Sequence, residues 1–271
     1  MDATPGISTV MIEHLRTKAA QDPDTFKNCT LMLDGMAIKQ HVSYDGSRDA
    51  MVGFVDLGNG QTDEQAANDV LVLMVVGTTG HWKAPVAYFF NHGLTATAQS
   101  QLVLLALSKL HEAGLRVRAL TMDGHTSNYG MCAVLGCDIP SGGTSFIDPA
   151  SEQQIHVIFD ACHMQKLLRN MLKAYGIITS GEGDIRWSYI EELHRLQDTI
   201  GLRLANKLSH RHVDFGNNKM KVSVSVQTLS GSVATALEFL QQSNHPAFQD
   251  VTATVSFIRV NNNITYFQPV L

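Results

Sequence analysis

Two aspartates lie in apolar segments whose composition predicts β-strands. Asp34 lies within LMLDGM, and Asp123 comes at the end of the run ALTMDG. A carboxylate in such a segment is costly to bury unless it is paired or binds a cation. Two carboxylates on adjacent strands are the minimal set for Mg²⁺, which prefers one or two of them together with water and phosphate oxygens. Two such ions, about 3.5–4 Å apart, support in-line attack on a phosphodiester.

A turn is the alternative role for each of these aspartates. Asp34 and Asp123 both precede a glycine, and Asp-Gly is a frequent turn pair. Each aspartate taken alone therefore also fits a structural role. The residue pattern leaves the turn and the metal ligand open.

The elements that must position the aspartates follow from the apolar patterns around them. Helical spacing predicts a helix over 9–21, with Thr9 able to cap its start. Strand-like runs in NCTLMLDGMAIKQHVSYD, AMVGFVDLG and DVLVLMVVGTTGHWKAPVAYFF predict a three-strand meander. A helix over 95–113, a strand ending at Asp123, a short helix in HTSNYGMCAVLG and a strand that becomes a helix near Asp160 complete this region.

This order of elements brings Asp34 and Asp123 to neighbouring strands of a mixed sheet with helices on its faces. In such sheets, ligand chemistry lies outside the strand ends. After Gly176 the strand signals become sparse, and helical periodicity dominates WSYIEELHRLQDTIGLRLANKLS and VSVQTLSGSVATALEFLQQS. We place a boundary near 177–184, because TSGEGD supplies turn residues, and we expect a mostly helical second region.

Length and composition limit the class of protein. The chain has 271 residues, enough for one large domain or two small ones, and 44% hydrophobic residues exclude disorder. It carries 25 acidic and 20 basic side chains, a formal net charge of −5, and 17% charged residues in all. This composition provides no basic surface, so it excludes a self-sufficient nucleic-acid binder held mainly by phosphate contacts.

The N-terminus and the cysteines indicate an intracellular, soluble protein. The chain does not open with a basic stretch and an apolar core, so we expect no secretory signal. The longest apolar stretch, 70–77, is far shorter than the roughly 20 residues that span a bilayer. We therefore expect a nuclear or cytoplasmic location. No CxxC pair occurs, and we expect four free, buried thiols at Cys29, Cys132, Cys137 and Cys162.

Six strings spread along the chain are more specific than these patterns. They are LMLDGMAIK, TMDGHTSN, FDACHMQKLLRN, RWSYIEELHRLQ, GLRLANKLSHRHVDF and NNKMKVSVSVQTLSGSVATAL. Together, over roughly residues 8–267, the chain resembles the P-element-type DNA transposases, including their THAP-domain relatives in animals. The resemblance implies an RNase H-like catalytic domain, interrupted by a mostly helical insertion that binds GTP. In this family the last catalytic carboxylate lies beyond the insertion.

The resemblance also implies a reaction and its site. It implies DNA cleavage and strand transfer that depend on Mg²⁺ or Mn²⁺, with Asp34 and Asp123 as catalytic residues and metal ligands. It assigns Asp160 and His163 of FDACH to an Asp-x-x-His signature adjacent to the catalytic site. A histidine near the start of a helix is equally often a cap or a packed polar side chain, and both interpretations stay open. DNA and GTP are the implied partners, and a homo-oligomer is compatible with them.

The resemblance divides the chain into three parts. We expect an α/β fold with an N-terminal helical lead-in over 1–24. An RNase H-like mixed sheet with flanking helices follows over 25–178, without its C-terminal part. A truncated, mostly α-helical GTP-binding insertion domain covers 179–271.

Three residues of the insertion correspond to the family's nucleotide site. Lys207 and Lys221 fall where the family has lysines near the phosphates, and Ser230 falls where a hydroxyl lies close by. Lysine is a point charge suited to phosphate oxygens. Without the resemblance, the pattern favours solvated helix residues, since no G-x-x-x-x-G-K-[ST] loop is present.

The chain departs from the family at three points. No zinc-binding spacing of Cys and His precedes Asp34, so we expect no sequence-specific DNA binding. Gln268, after Phe267, stands where the family has an aspartate that reads guanine, which puts guanine selectivity in doubt. The chain stops before the family's closing carboxylate. The remaining acids match no catalytic position, and we expect them at the surface: Glu191, Glu192 and Glu238.

These observations leave competing functions. The first is the catalytic region of a transposase, with activity far below that of an intact relative because the closing carboxylate is missing. The second is a catalytically silent or domesticated remnant that acts as a nucleotide- or protein-binding module. The third, an ordinary two-domain metal-dependent hydrolase, leaves the helical motifs unexplained.

Overall fold

The computed structural model describes residues 4–46, 49–60 and 62–266. Contacts divide the chain into two compact units, Met1–Phe159 and Asp160–Leu271. This division falls earlier than the sequence boundary expected near 177–184. The helix that follows Phe159 packs against later helices of the second unit, so it groups with them. Within the described residues, no helix is both long and apolar enough to cross a membrane.

The described part of the first unit is built on one mixed sheet and a separate hairpin. The sheet order is β10-β11-β9-β2-β7-β8-β5-β6, with β1 paired to β8, and β3 pairs with β4. The strands have the following bounds: β1 Gly6–Ile7, β2 Asn28–Ala37, β3 Ser43–Asp45, β4 Ala50–Val52, β5 Phe54–Asp56, β6 Thr62–Ala66, β7 Asp69–Gly77, β8 Lys83–Asn91, β9 Arg116–Met122, β10 Ser145–Ile147 and β11 Gln154–Phe159.

Strand directions confirm the predicted meander and its crossover. β2 pairs antiparallel with β7, and β7 pairs antiparallel with β8. β9 returns parallel to β2, and β11 lies parallel to β9. A parallel return requires a crossover connection, and helices provide it here. The α/β fold class with a mixed sheet and flanking helices is therefore confirmed.

Helices of this unit cover the apolar side of the sheet. They are α1 Thr9–Gln21, α2 Pro23–Phe26, α3 Ala96–Glu112 and α4 Thr126–Val134, with a short 3-10 turn at Ile139–Ser141. The buried residues of α1 fall on one stripe, at Ile12, Leu15 and Ala19. They join one core with the buried side chains of the strands. The sequence predicted the α1 range correctly, but the capping side chain is that of Ser8 and not of Thr9.

Alternation along β2 separates the two faces of the sheet. Cys29, Leu31 and Leu33 are buried, whereas the residues between them are partly exposed. Successive side chains of a strand point to opposite faces, so the buried set faces the core and the other set faces away from it. This alternation decides which face carries each candidate side chain.

The second unit is mostly helical, as predicted. Its helices are α5 Ala161–Tyr175, α6 Ser188–Ile200, α7 His210–Val213, α8 Val222–Thr228, α9 Gly231–Gln242 and α10 Thr252–Tyr266, with 3-10 turns at Gly216–Asn218 and Pro246–Phe248. Buried side chains of α6, α9 and α10 share one core with Trp187 and Phe215. The segment TSGEGD lies in a hairpin between β12 Ile177–Ser180 and β13 Gly183–Arg186.

All four cysteines are free thiols. Three are buried, and Cys162 is only partly buried, which corrects the expectation for that residue. Burial raises the pKa of Cys29 and of Cys132 to about 12. A thiol with so high a pKa carries almost no thiolate near neutral pH, so these two side chains behave as small apolar groups.

Candidate active site and nucleotide pocket

Strand register brings the two predicted catalytic aspartates side by side. β2 and β9 are parallel neighbours, and their recorded pairing runs to Met32 opposite Thr121. Continuing this register by two residues puts Asp34 opposite Asp123. Neighbouring strands lie about 4.7–4.9 Å apart, and residues two positions apart share a face. Asp34 shares a face with Met32, opposite the core. Asp123 lies just past the end of β9, where strand alternation no longer sets the direction of its side chain.

The structure excludes the turn role for Asp34. β2 continues through Asp34 to Ala37, and Asp34 pairs with Val72 of β7. Gly35 also lies within this strand and has no positive φ. The Asp34 side chain is exposed, and within the described residues it has no hydrogen-bond or ion-pair partner. The carboxylate is therefore open to a cation from solvent and carries little burial cost.

Asp123 is partly engaged in a turn. Its Oδ1 accepts hydrogen bonds from the backbone N–H of His125 at 3.0 Å and from Nδ2 of Asn128 at 2.7 Å. The first contact is an Asx turn, which starts the connection to α4. In the described structure no donor contacts Oδ2. One carboxylate oxygen thus serves the turn, and the other is available to a cation.

A cavity of about 290 Å³ is lined by Asp123 together with residues on the sheet face opposite to that of Asp34. It is lined by Leu33 and Gly35 of β2 and by Asp69, but not by Asp34. The carboxylate of Asp69 lies over Gly35, where an added Cβ would make an ordinary van der Waals contact with its Oδ1 at 3.5 Å. The further polar lining, which was not predicted from the sequence, is Asn91, Gln99, His125, Ser127 and Asn128.

The sequence contains signals for three of the polar residues that line this cavity. Asp69 and Asn91 stand at the two ends of the β7–β8 apolar runs, where they pair with each other across the strands. Asn128 lies in the string TMDGHTSN that carried the family resemblance. Gln99 lies in a helix whose pattern predicts only packing. Its contact across 29 positions of sequence could not be read from spacing.

The donor set at Asp34 and Asp123 fits a hard divalent cation. Carboxylate oxygens are the ligands that Mg²⁺ prefers, and Mg²⁺ usually keeps several waters when only one or two carboxylates bind it. Across the described ranges, no group of three or more His, Cys, Asp or Glu side chains is arranged to hold a metal. The chemistry of the pair therefore fits a hydrated ion held by two carboxylates.

Asp160 and His163 form a pair at the start of α5. Asp160 caps the helix, because its Oδ1 accepts from the backbone N–H of Cys162 at 2.9 Å. Its Oδ2 lies 2.6 Å from Nδ1 of His163. Both side chains are about one third exposed. The capping role is thus present, and the role next to a catalytic site stays a prediction.

A cavity of about 400 Å³ in the second unit contains two of the predicted nucleotide ligands. Lys207 and Ser230 line it together with Gly231 and Asn262. Lys221 does not line it and instead precedes α8 as its N-terminal flanking residue. The remaining lining comes from Asn206, Val226, Gln227 and Ser232.

The cavity is suited to an anion because α9 begins there. Ser230 is the N-cap residue of this helix, and its Oγ donates to the carbonyl of Gln227 at 2.9 Å. The N–H of Gly231 donates to Oδ1 of Asn262 at 3.0 Å. This bond occupies the N–H of Gly231, so it is the positive end of the helix dipole that attracts phosphate here. The exposed Lys207 ammonium adds a full positive charge.

Two cations of α5, the buried Arg169 and the partly buried Lys173, bind backbone carbonyls in the region before Lys221. Arg169 of α5 is fully buried, and its guanidinium carbon lies 3.7 Å from the centre of the Phe215 ring. Its Nη2 donates to the carbonyl of Lys219 at 2.8 Å, and burial lowers the pKa of Arg169. Lys173 donates to the carbonyl of Val213 on the same side.

Two further expectations concern the second unit. Glu192 and Glu238 form ion pairs with Arg195 and Arg259, and Glu191 accepts from the indole N–H of a tryptophan at 2.8 Å. These contacts account for the three glutamates without a catalytic role. Gln268 lies outside the described residues.

Comparisons with known proteins agree with this architecture. The family TNP-like, RNase H N-terminal domain, matches residues 3–136. The family TNP-like, GTP-binding insertion domain, matches residues 162–267. The first match covers the described sheet up to α4, which shows that this sheet is RNase H-like. The second match covers α5 to α10.

A curated protein and a solved structure are similar to the chain over most of its length. The human DNA transposase THAP9 is 31% identical over 267 residues, which are 96% of this chain and 30% of the relative. The Drosophila P element transposase strand transfer complex superposes with a TM-score of 0.79 at 25% identity, covering 97% of this chain and 55% of that one. The chain therefore spans about a third of the curated relative and about half of the solved one.

Proposed function

The chain belongs to the P-element-type DNA transposase family, and on this premise we propose that it carries out metal-dependent DNA cleavage and strand transfer. In this proposal Asp34 and Asp123 hold Mg²⁺ or Mn²⁺. The second unit binds GTP. DNA is the proposed substrate because the similar proteins are a DNA transposase and a transposase strand transfer complex.

One observation carries the proposal. Asp34 lies in β2 and Asp123 directly follows β9, and these strands are parallel neighbours whose register, continued by two residues, puts the two aspartates opposite each other. The face that carries Asp34 is open to solvent: Met36 is 60% exposed and Ile158 is 53% exposed. A duplex of DNA needs such an open face, because its backbone must come within bonding distance of the metal ligands.

Each aspartate has a distinct part in the site. Asp34 offers a carboxylate without protein partners in the described structure, and Asp123 offers Oδ2 while its Oδ1 stays on the Asx turn. A divalent ion bound there supplies Lewis-acid activation of a phosphate oxygen and of the attacking hydroxyl. The turn orients the carboxylate of Asp123 before DNA binds, so its positioning costs little during the reaction.

Nicking of duplex DNA in the presence of Mn²⁺ or Mg²⁺ tests this proposal. Asp34→Asn and Asp123→Asn each keep the side-chain shape and remove the negative charge. We expect each change to lower the nicking rate by about a hundredfold or more, the usual scale for an electrostatic group in an active site. Asp24→Asn, an exposed change on α2, is the matched control. Nicking that survives in both variants would show that these aspartates are not the metal ligands.

GTP is the ligand proposed for the 400 Å³ cavity. Lys207 and the start of α9 would contact the phosphates, and Ser230 would lie beside them. Isothermal titration with GTP and with ATP tests this assignment. We expect Lys207→Ala to weaken GTP binding about tenfold or more, since a hydrogen bond to a charged group contributes about 1.5–3 kcal/mol. Lys219→Ala, an exposed lysine away from the lining, should leave binding unchanged.

A nucleotide-binding module without cleavage is the second candidate function. It is favoured by the two-carboxylate donor set, because the described residues supply no third acid within the site. GTP binding without metal-dependent nicking would support it. Nicking that requires both aspartates would exclude it.

A further inference from the structure

We propose that Asn128 and Gln99 are positioning residues for Asp123, which hold its carboxylate in the orientation that binds the metal. The inference rests on the proposed function, since it assigns a purpose to these residues only if Asp123 is a metal ligand. Neither residue would touch the metal or the DNA. They act through Asp123.

Asn128 fixes Asp123 at two atoms. Its Nδ2 donates to Oδ1 of Asp123 at 2.7 Å and to the backbone carbonyl of the same residue at 3.2 Å. Asn128 is only 6% exposed, so water competes little for these bonds. Because one amide group spans the side chain and the main chain of Asp123, it restricts rotation of the carboxylate about its side-chain bonds.

Gln99 fixes Asn128 in turn. Its Nε2 donates to Oδ1 of Asn128 at 2.7 Å, and Gln99 is 5% exposed. This bond determines which end of the Asn128 amide faces Asp123. With Oδ1 occupied by Gln99, the amide must present Nδ2 to the carboxylate. A rotated amide would place two oxygen acceptors against each other, which is unfavourable in a buried site.

The close approach of two helices makes the chain of contacts continuous. Gln99 lies in the first turn of α3, and Asn128 is the third residue of α4. Gly130 of α4 packs on Ala96 of α3, where an added Cβ would lie only 3.2 Å from the alanine Cβ. A larger residue at this position would push the helices apart. The glycine therefore allows Gln99 to reach Asn128.

These contacts leave one defined oxygen for the metal. Oδ1 of Asp123 receives two donors, from Asn128 and from the N–H of His125. Oδ2 receives none from the residues that the structure describes. Hydrogen-bonded partners of a ligand orient it, and their loss typically weakens metal affinity about 10- to 100-fold. Asn128 and Gln99 supply that support from the buried side of the sheet.

Direct measurement of Mn²⁺ binding tests the inference without requiring DNA cleavage. Electron paramagnetic resonance of Mn²⁺ titrated with the full chain gives the affinity and the spectrum of the bound ion. We expect Asn128→Leu, which keeps the branching and the number of side-chain heavy atoms, to weaken Mn²⁺ binding about 10- to 100-fold and to broaden the spectrum. Gln99→Leu should weaken binding by a smaller factor, because Asn128 then keeps its bonds to Asp123 but loses its fixed orientation.

Ser100→Ala provides the matched control. Ser100 is 2% exposed and follows Gln99 on α3, and among the described residues its Oγ donates only to the carbonyl of Thr97. Its loss removes a buried polar contact from the same helix but none from Asp123, so Mn²⁺ affinity should stay unchanged. Far-UV circular dichroism and the melting temperature without metal identify any variant that fails to fold. In that case Gln99→Leu, farther from the strand, decides the outcome.

The outcomes separate this inference from the proposed function. Mn²⁺ binding that is lost in Asp123→Asn but unchanged in folded Asn128→Leu and Gln99→Leu overturns the inference alone. Mn²⁺ binding that is absent from the original chain, or is indifferent to Asp123→Asn, overturns the proposed metal site and the inference with it. Weakening in Asn128→Leu and Gln99→Leu, with none in Ser100→Ala, supports the positioning role.

Discussion

His212 is a buried histidine that the second unit holds in its neutral form. It is fully buried, its Nδ1 accepts from the N–H of Ser209 at 3.1 Å, and its Nε2 lies 2.9 Å from Oε1 of Gln227. Nε2 therefore carries the proton and donates it. Burial lowers the pKa of His212 below its ordinary value. The hydrogen bond to Gln227 raises this pKa in part, and the positive charges of Arg211 and Arg169 lower it further.

The sign of the pH effect follows from this lowered pKa. An unfolded histidine titrates near pH 6.5, so below that pH the unfolded chain binds more protons than the folded unit. The free energy of unfolding must then fall as the pH falls. If His212 stays neutral in the folded unit down to pH 5.5, the loss between pH 7.5 and 5.5 is about 1.4 kcal/mol. This is the largest loss that one histidine can cause over that range.

The assay can isolate the second unit. The chain has two tryptophans, and Trp82→Phe leaves Trp187, which packs edge-on against Phe215 with the ring centres 5.8 Å apart. Urea unfolding followed by Trp187 fluorescence at both pH values gives the free energy of unfolding with and without His212→Gln. We expect the loss on acidification to shrink by up to about 1.4 kcal/mol in the variant.

The comparison also needs a histidine that is not buried. His210→Gln lies two residues away, and the His210 side chain is 80% exposed. In this variant the free energy of unfolding should fall between pH 7.5 and 5.5 by about as much as in the original chain. If His212→Gln and His210→Gln show the same pH dependence, or if His212→Gln increases the loss, the assignment of a buried neutral ring is refuted.

Two further changes test packing and capping in the first unit. Gly77→Ala would place a Cβ 2.2 Å from Nε1 of Trp82. We expect the free energy of unfolding in urea to fall by about 1–3 kcal/mol and the Trp82 fluorescence to change. Gly181→Ala is the control, because a Cβ there meets nothing within 4 Å. Thr95→Ala removes the side chain that caps α3 and should lower the free energy of unfolding by about 1 kcal/mol. Thr97→Ala, measured in the same way, should lower it by less. An equal loss in both variants would contradict the capping role.

The order of elements in the first unit was predictable because its signals are local. Runs rich in Val, Leu and Phe predicted the central strands, and the change from strand to helix at Asp160 was located correctly. Thr95 was recognisable as the start of a helix for the same reason, since capping involves residues only three positions apart. The range of α1 was predicted correctly, but its cap was assigned to Thr9 and not to Ser8, because both residue types are good caps.

Side-chain partners that come from separate elements could not be predicted. Gln99 and Asn128 meet because α3 and α4 approach closely at Gly130, and this distance depends on the packing of both helices on the sheet. The same holds for Arg169, whose partner carbonyls lie about 50 positions away. A sequence pattern reports the spacing within one element, but not the approach of two elements.

The two faces of β2 show why a cavity alone would misidentify the site in this unit. The cavity beside Asp123 opens on the face of Leu33 and Gly35, and it contains Asp69. Asp34 is adjacent to both of those residues, but a strand alternates its side chains, so Asp34 stands on the other face. Open sheet surface leaves no cavity to detect, although an extended polymer such as DNA needs that kind of surface. Asp123, which directly follows its strand, connects the cavity with Asp34: its Oδ1 is held from the cavity side by Asn128, and the register of β2 and β9, continued by two residues, puts it opposite Asp34. We therefore expect changes in the polar lining of the cavity to alter metal binding through Asp123 and to leave the contribution of Asp34 intact.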